Sequence, residues 1–164
     1  MRAGRMREAL PVAERAVAGA RTCLPGHALL ASLLLQLGRI AESLPRNEAA
    51  TLIDELARTA GTDPRLLFAL GLTCGRVGLY DKAETVFSTL LARVPGDFDV
   101  LYNLGLAGAR AGHYDRAQRT FEAALKARPN DVDTLYELGR VDLQQALEID
   151  SRFFRLPAGY VVVT

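Results

Sequence analysis

The chain of 164 residues has only two cysteines, Cys23 and Cys74, and two histidines, His27 and His113. The cysteines stand far apart and share no metal-ligand spacing with either histidine, so a zinc site is not expected and both read as free, buried thiols. An excess of one charge is also missing. Lysine plus arginine number 20 against 19 aspartates and glutamates, which removes the bulk electrostatic reason to bind DNA, RNA or an anionic membrane. Long apolar runs are absent too: Ala28 to Leu37, the most apolar stretch, is too short to span a bilayer and holds Ser32 and Gln36. Behind the basic Arg2, Arg5 and Arg7, residues Glu8, Pro11, Glu14 and Arg15 interrupt anything that would serve as a secretory leader. The expectation is a cytoplasmic protein with no membrane span.

Signatures of catalysis are missing as well. The sequence has no Gly-x-Ser-x-Gly elbow, no phosphate loop, no Gly-x-Gly-x-x-Gly after a strand and no histidine pair at metal-ligand spacing. Glu42 with Glu48, and Asp131 with Asp133, lie close in sequence, but carboxylates near helix starts cap and solvate far more often than they move protons. No catalytic residue, metal or cofactor is expected, and the chain does not read as an enzyme.

What the sequence does have is a period. Leu67 to Gly71 (LFALG), Leu101 to Gly105 (LYNLG) and Leu135 to Gly139 (LYELG) recur every 34 residues, the mark of a helical-repeat array. Between them Gly78, Tyr80, Asp81, Ala83, Phe87, Pro95 and Asp97 answer to Gly112, Tyr114, Asp115, Ala117, Phe121, Pro129 and Asp131. Each copy reads as a helix, a tight turn and a second helix. Asp97 is placed to cap the first helix of the second copy and Gly112 to end it, with two residues between it and Asp115, which opens the next. Leu101, Leu104 and Gly105 share one face, with the glycine where a partner helix must come close. Ala117, Phe121, Ala124 and Leu125 form the apolar stripe of the second helix, which Pro129 stops. One such hairpin cannot bury its own face and needs neighbours.

These residues closely resemble the tetratricopeptide repeat, over two full copies (64–97 and 98–131) and the first helix of a third. The family's usual mid-helix tyrosine is replaced by Cys74 and Gly108, and its second-helix alanine by Leu90, swaps that exchange volume between facing core positions. The resemblance implies an all-α fold, a right-handed α-solenoid of antiparallel helix hairpins, acting as a scaffold that binds a peptide segment of a partner protein in its concave groove. Carried over position by position, the groove takes Arg65, Phe68, Ala69, Leu72 and Arg76 from the first copy. Asp99, Tyr102, Asn103, Leu106 and Arg110 come from the second, and Asp133, Tyr136, Glu137 and Arg140 from the third. Phe68, Tyr102 and Tyr136 would form an aromatic ladder, the arginines would grip carboxylates, and Asn103 would bond a peptide backbone. Arg76 and Arg110 have a second reading as charges that neutralise helix C-termini. The terminal-carboxylate clamp of chaperone-binding members is not expected, since Asn103 alone matches while Phe68, Leu72, Asp133 and Glu137 depart. The asparagine ladder of the related sugar-transferase scaffolds fails at Ala69 and Glu137.

Outside the clear copies the pattern decays. Residues 1–24 align as a half repeat, with Gly4, Met6, Ala9, Ala13 and Ala16 at second-helix offsets. Pro11 opens the alternative that the helix begins near Leu10, with Val12, Ala13, Ala16, Val17 and Ala20 as its docking face. Residues 25–63 read as a degenerate repeat, an apolar helix from His27 to Leu37 followed by one from Glu48 to Ala60 capped by Asn47. Residues 132–150 read as a partial repeat or capping helix running on to about Glu148, with Asp142 where a core residue belongs. Residues 151–164 form an irregular tail in which Phe153 and Phe154 fold back as a cap or Tyr160 to Val163 make a short strand. Two further readings stay open at this point: a docking portion of a larger enzyme or signalling protein, such as a glycosyltransferase, and a homo-oligomer formed through an uncovered terminal face.

Overall fold

The structure, a computed structural model, describes residues 49–51, 53–54, 57–58 and 63–153. Five helices occupy 64–153: α1 (Pro64–Arg76), α2 (Tyr80–Leu91), α3 (Phe98–Ala111), α4 (Tyr114–Ala127) and α5 (Val132–Phe153). Consecutive helices pack on one another throughout, α1 on α2, α2 on α3, α3 on α4 and α4 on α5. The result is an all-α solenoid of antiparallel hairpins, with no strand among the described residues.

An aspartate begins each first helix. Asp63 accepts from the Arg65 N–H at 2.8 Å, Asp97 from the Val100 N–H at 3.0 Å and Asp131 from the Thr134 N–H at 2.9 Å. Each satisfies an amide that the helix itself leaves unpaired. The second helices start differently. Leu79 and His113 occupy the cap positions of α2 and α4 without a side-chain cap bond. The chain reaches them through Gly78 and Gly112, both left-handed at φ 79° and 84°, a conformation that glycine takes without steric cost. The second helix of the second copy therefore opens at Tyr114, one residue before Asp115, which lies in its first turn.

The close approach expected at the leucine-glycine pairs is present twice. A Cβ built on Gly71 would stand 2.6 Å from the Phe87 ring, and one on Gly105 would stand 2.6 Å from Phe121. Phe87 and Phe121 are buried, as are Leu66, Leu67, Leu70, Leu90, Val100 and Leu101, each worth about 1.5 to 3 kcal/mol on removal from water. The departures at Cys74 and Leu90 are absorbed in this core, and Gly108 lets α3 rest on Ala117 at 3.6 Å from its would-be Cβ. Cys74 is a free, buried thiol; burial pushes its pKa up to about 12. Upstream, residues 49–51, 53–54 and 57–58 are helical, and Ala49 and Ile53 join the core beside Ala83 and Leu70.

The third copy departs from the first two. Its helix does not stop near Glu148 but continues to Phe153, because Ala146 stands where Gly78 and Gly112 make their turns. Asp142, at the position of buried Cys74 and Gly108, is exposed. The expectations for Cys23, His27, the 1–24 half repeat, the His27 to Leu37 helix and the tail beyond Phe153 lie outside the described residues. Among the described residues no helix is long and apolar enough to cross a membrane.

Candidate functional site

The first helices α1, α3 and α5 also touch their counterparts one repeat away, so residues 34 apart form rows across one surface. The structure gathers many of the expected groove residues into two clefts along the line between α1 and α3. Toward the helix starts, Arg65, Phe68 and Asp99 line a cleft of about 330 Å³ with Pro64, Leu90 and Val94. Toward the helix ends, Leu72, Arg76, Asn103, Leu106 and Arg110 line one of about 220 Å³ whose floor is Gly71, Ala83 and Phe87.

The second cleft has the more definite chemistry. Its walls are mainly apolar, and the two arginines at its mouth belong to the last turns of α1 and α3, where the helix ends themselves favour cations. Asn103 donates an Nδ2 hydrogen to the Asp99 carbonyl at 2.7 Å, which orients its Oδ1 as an acceptor. An apolar side chain entering here meets Leu72 and Leu106, and a carboxylate beside it meets arginine.

The aromatic residues do not act alike. Phe68 packs edge-on against Phe87, with centroids 5.8 Å apart. Tyr102 stacks on Phe98 at 6.1 Å and lies tilted against Phe121 at 6.2 Å. Both thus support the core beneath the surface they present. Arg128 lies over the Phe98 ring, 4.0 Å from its centroid, and pairs with Asp99 at 3.7 Å. Burial, then the charges of Asp133, Glu137 and Asp131, raise the pKa of the Tyr102 hydroxyl. Glu137 is half-buried with Arg140 3.6 Å away, while Asp133 and Arg140 are exposed. Tyr136, the expected third rung, stands 66% exposed and lines neither cleft.

One cluster was not anticipated. The buried Glu84 receives His113 Nδ1 at 2.7 Å and Arg116 Nη1 at 3.0 Å, joining α2 to the start of α4. With Asp81 it brings three potential ligand atoms within 4.8 Å of one another. The repeat alignment held the signal: His113 stands where the first copy has Leu79, and Glu84 where the second has Gln118. Two positions that break the pattern face each other. Beside them, Tyr114, Arg116, Arg119, Gln145 and Glu148 line a broad cleft of about 800 Å³ with charges of both signs.

Comparisons with known proteins agree with this fold. Residues 76–138 match the family model described as tetratricopeptide repeat. No curated protein matches the chain. Among solved structures, it is similar to the first TPR of Spaghetti (RPAP3) bound to the HSP90 peptide SRMEEVD, at 19% identity and TM-score 0.55 over 71% of this chain and 93% of that one. The Sgt2 TPR domain from Aspergillus fumigatus gives 21% identity and TM-score 0.55, covering 82% and 89%. A thermophilic TPR protein of Thermus thermophilus gives 22% and 0.54, covering 85% and 74%. At these identities the likeness is one of fold.

Proposed function

We propose, from the tetratricopeptide repeats that the chain carries over residues 76–138, that it is a non-catalytic scaffold which binds a peptide segment of a partner protein across α1 and α3. The observation that carries this reading is the apolar cleft of Leu72 and Leu106 with Arg76, Arg110 and Asn103 at its mouth. An extended segment places an apolar side chain between the leucines, a neighbouring carboxylate against the arginines, and a backbone amide on the Asn103 oxygen. The remaining groove residues, Arg65, Phe68 and Asp99 at one end and Asp133, Glu137 and Arg140 at the other, extend the contact with charges of both signs. In this reading the repeat domain runs to the end of α5 at Phe153, and no cofactor takes part.

A neighbour of the same fold is bound to an HSP90 peptide, which supports peptide binding as a use of this architecture. The partner here need not be of that kind, since the residues at the cleft mouth set their own preference. Affinity would come from many modest contacts around a few anchors.

The test compares Arg76→Ala with Arg110→Ala, and with Asn103→Ala in the same background, against Leu70→Ala and Phe121→Ala. Capture from source lysate identifies the partner, and titration with its bound segment follows. The arginine variants are expected to lose about tenfold or more in affinity while unfolding within about 0.5 kcal/mol of wild type. The core variants are expected to lose about 2 to 5 kcal/mol of stability. Undiminished binding by the folded triple variant sinks the groove reading.

A further inference from the structure

The helix α5 presents an apolar stripe to solvent. Val132 is 75% exposed, Leu135 48%, Tyr136 66%, Leu143 62% and Leu147 55%, and their spacing puts them on one side of the helix. The opposite side, with Thr134 and Val141, is buried. A helix that merely closes a solenoid carries polar residues outward; α5 carries an apolar stripe there.

The earlier repeats show what the stripe is shaped to receive. Leu101 and Gly105 of α3 are buried, and Phe121 of α4 sits on the glycine. The corresponding Leu135 is half exposed, and a Cβ built on Gly139 would have nothing within 4 Å. Gly139 is an aromatic seat without its aromatic. The position four residues before the aromatic is also defined, because Ala117 faces Gly108 across the same interface. In α5 that facing position holds Asp142, exposed. A helix seated here would cover the carboxylate, which then requires a cation opposite.

We propose that α5 binds, along Leu135, Gly139, Asp142 and Leu143, an antiparallel amphipathic helix of another protein bearing arginine or lysine four residues before an aromatic. The incoming helix takes on α5 the place that α4 takes on α3. Among the 164 residues the only basic residues four before an aromatic are Arg76 before Tyr80 and Arg110 before Tyr114, and each interval holds a left-handed turn glycine, Gly78 or Gly112.

The probe is a helix-stabilised, fluorescently labelled peptide with the sequence of α4 (Tyr114–Ala127), titrated with the full chain. Its Ala117→Arg form is expected to bind, the unsubstituted peptide about tenfold more weakly, and the Ala117→Arg, Phe121→Ala form about a hundredfold more weakly. In the protein, Gly139→Leu occupies the seat and abolishes binding, with the fold confirmed by circular dichroism. Asp142→Arg transfers the preference to an Ala117→Glu peptide. The Arg76→Ala, Arg110→Ala protein binds the probe as wild type does, so failure of the groove reading leaves this one standing. Binding indifferent to Phe121 or to Gly139→Leu overturns the proposal, as does loss of binding in the arginine variant. Sedimentation showing that the chain self-associates through this face, with Gly139→Leu restoring the monomer, also overturns it in favour of a second copy.

Discussion

A Cβ on Gly105 would meet the Phe121 ring at 2.6 Å, and that ring is fully buried, with other side chains on every side. The same residue type at Gly139 faces open space. The period in the sequence makes the two positions equivalent, yet the physics of substitution is opposite. Gly105→Ala forces a packed helix pair apart and is expected to cost about 1 to 3 kcal/mol. Gly139→Ala only removes a flexible residue from an exposed helix and is expected to gain about 0.5 to 1 kcal/mol. Urea unfolding followed by circular dichroism reads both. A destabilisation by Gly139→Ala matching that of Gly105→Ala would show the third seat to be filled. The buried Cys74 illustrates the same dependence on surroundings. Its thiolate is disfavoured by desolvation from the ordinary 9.0 to about 12, so its contribution is intact below pH 9 and is lost as pH rises toward that value.

At the scale of the element, the three aspartate caps act through local hydrogen bonds, and the third has a pH signature. The Thr134 hydroxyl donates to Asp131 Oδ2 at 2.6 Å and the Thr134 N–H at 2.9 Å. Those bonds, the hydroxyl first, hold the carboxyl pKa below its ordinary 3.8. A depressed pKa contributes stability above the unfolded value and loses it as pH falls through the folded one, so the start of α5 weakens below about pH 4. Thr134→Val removes the hydroxyl donor and is expected to flatten the acid limb of the unfolding midpoint between pH 5 and 2.5; an unchanged limb would place the pH dependence elsewhere. Such caps were legible in the sequence because they depend on residues two or three apart. So were the turns at Gly78 and Gly112 and the stripe of Ala117, Phe121 and Ala124. The Glu84, His113 and Arg116 cluster was not, because it joins residues 29 and 32 positions apart and ordinary helix surfaces carry all three types. Nor did the groove pattern reveal that Tyr102 stacks on Phe98 and supports Phe121. The aromatic spacing specified which face these residues share but not how much of each is spent on the core. The end of α5 was misplaced for a simpler reason: glycine's absence at position 146 removed the stop signal, and nothing local replaces it before Phe153.

Across the whole molecule, stability in a stack of repeats is the sum of each unit and its contacts with neighbours. The inner helices α2, α3 and α4 are packed by a helix on each side, whereas the second half of α5 has α4 on one side and solvent on the other. Leu143 and Leu147 point outward, and Gln145 ties this half to the preceding repeat by donating to Asp115 at 2.6 Å. Its opening therefore breaks few apolar contacts, and it is expected to exchange amide hydrogens by local fraying while α2 to α4 exchange only near the global unfolding limit. Gln145→Ala should speed exchange over residues 142–148 severalfold and leave the urea midpoint within about 0.5 kcal/mol of wild type. The helix-bearing probe that seats on Gly139 should do the reverse, slowing exchange in that half alone, because it supplies the missing side of the packing. If residues 142–148 instead exchange together with α3 and α4 in the free chain, α5 is already held on both faces and the one-sided account of its stability fails.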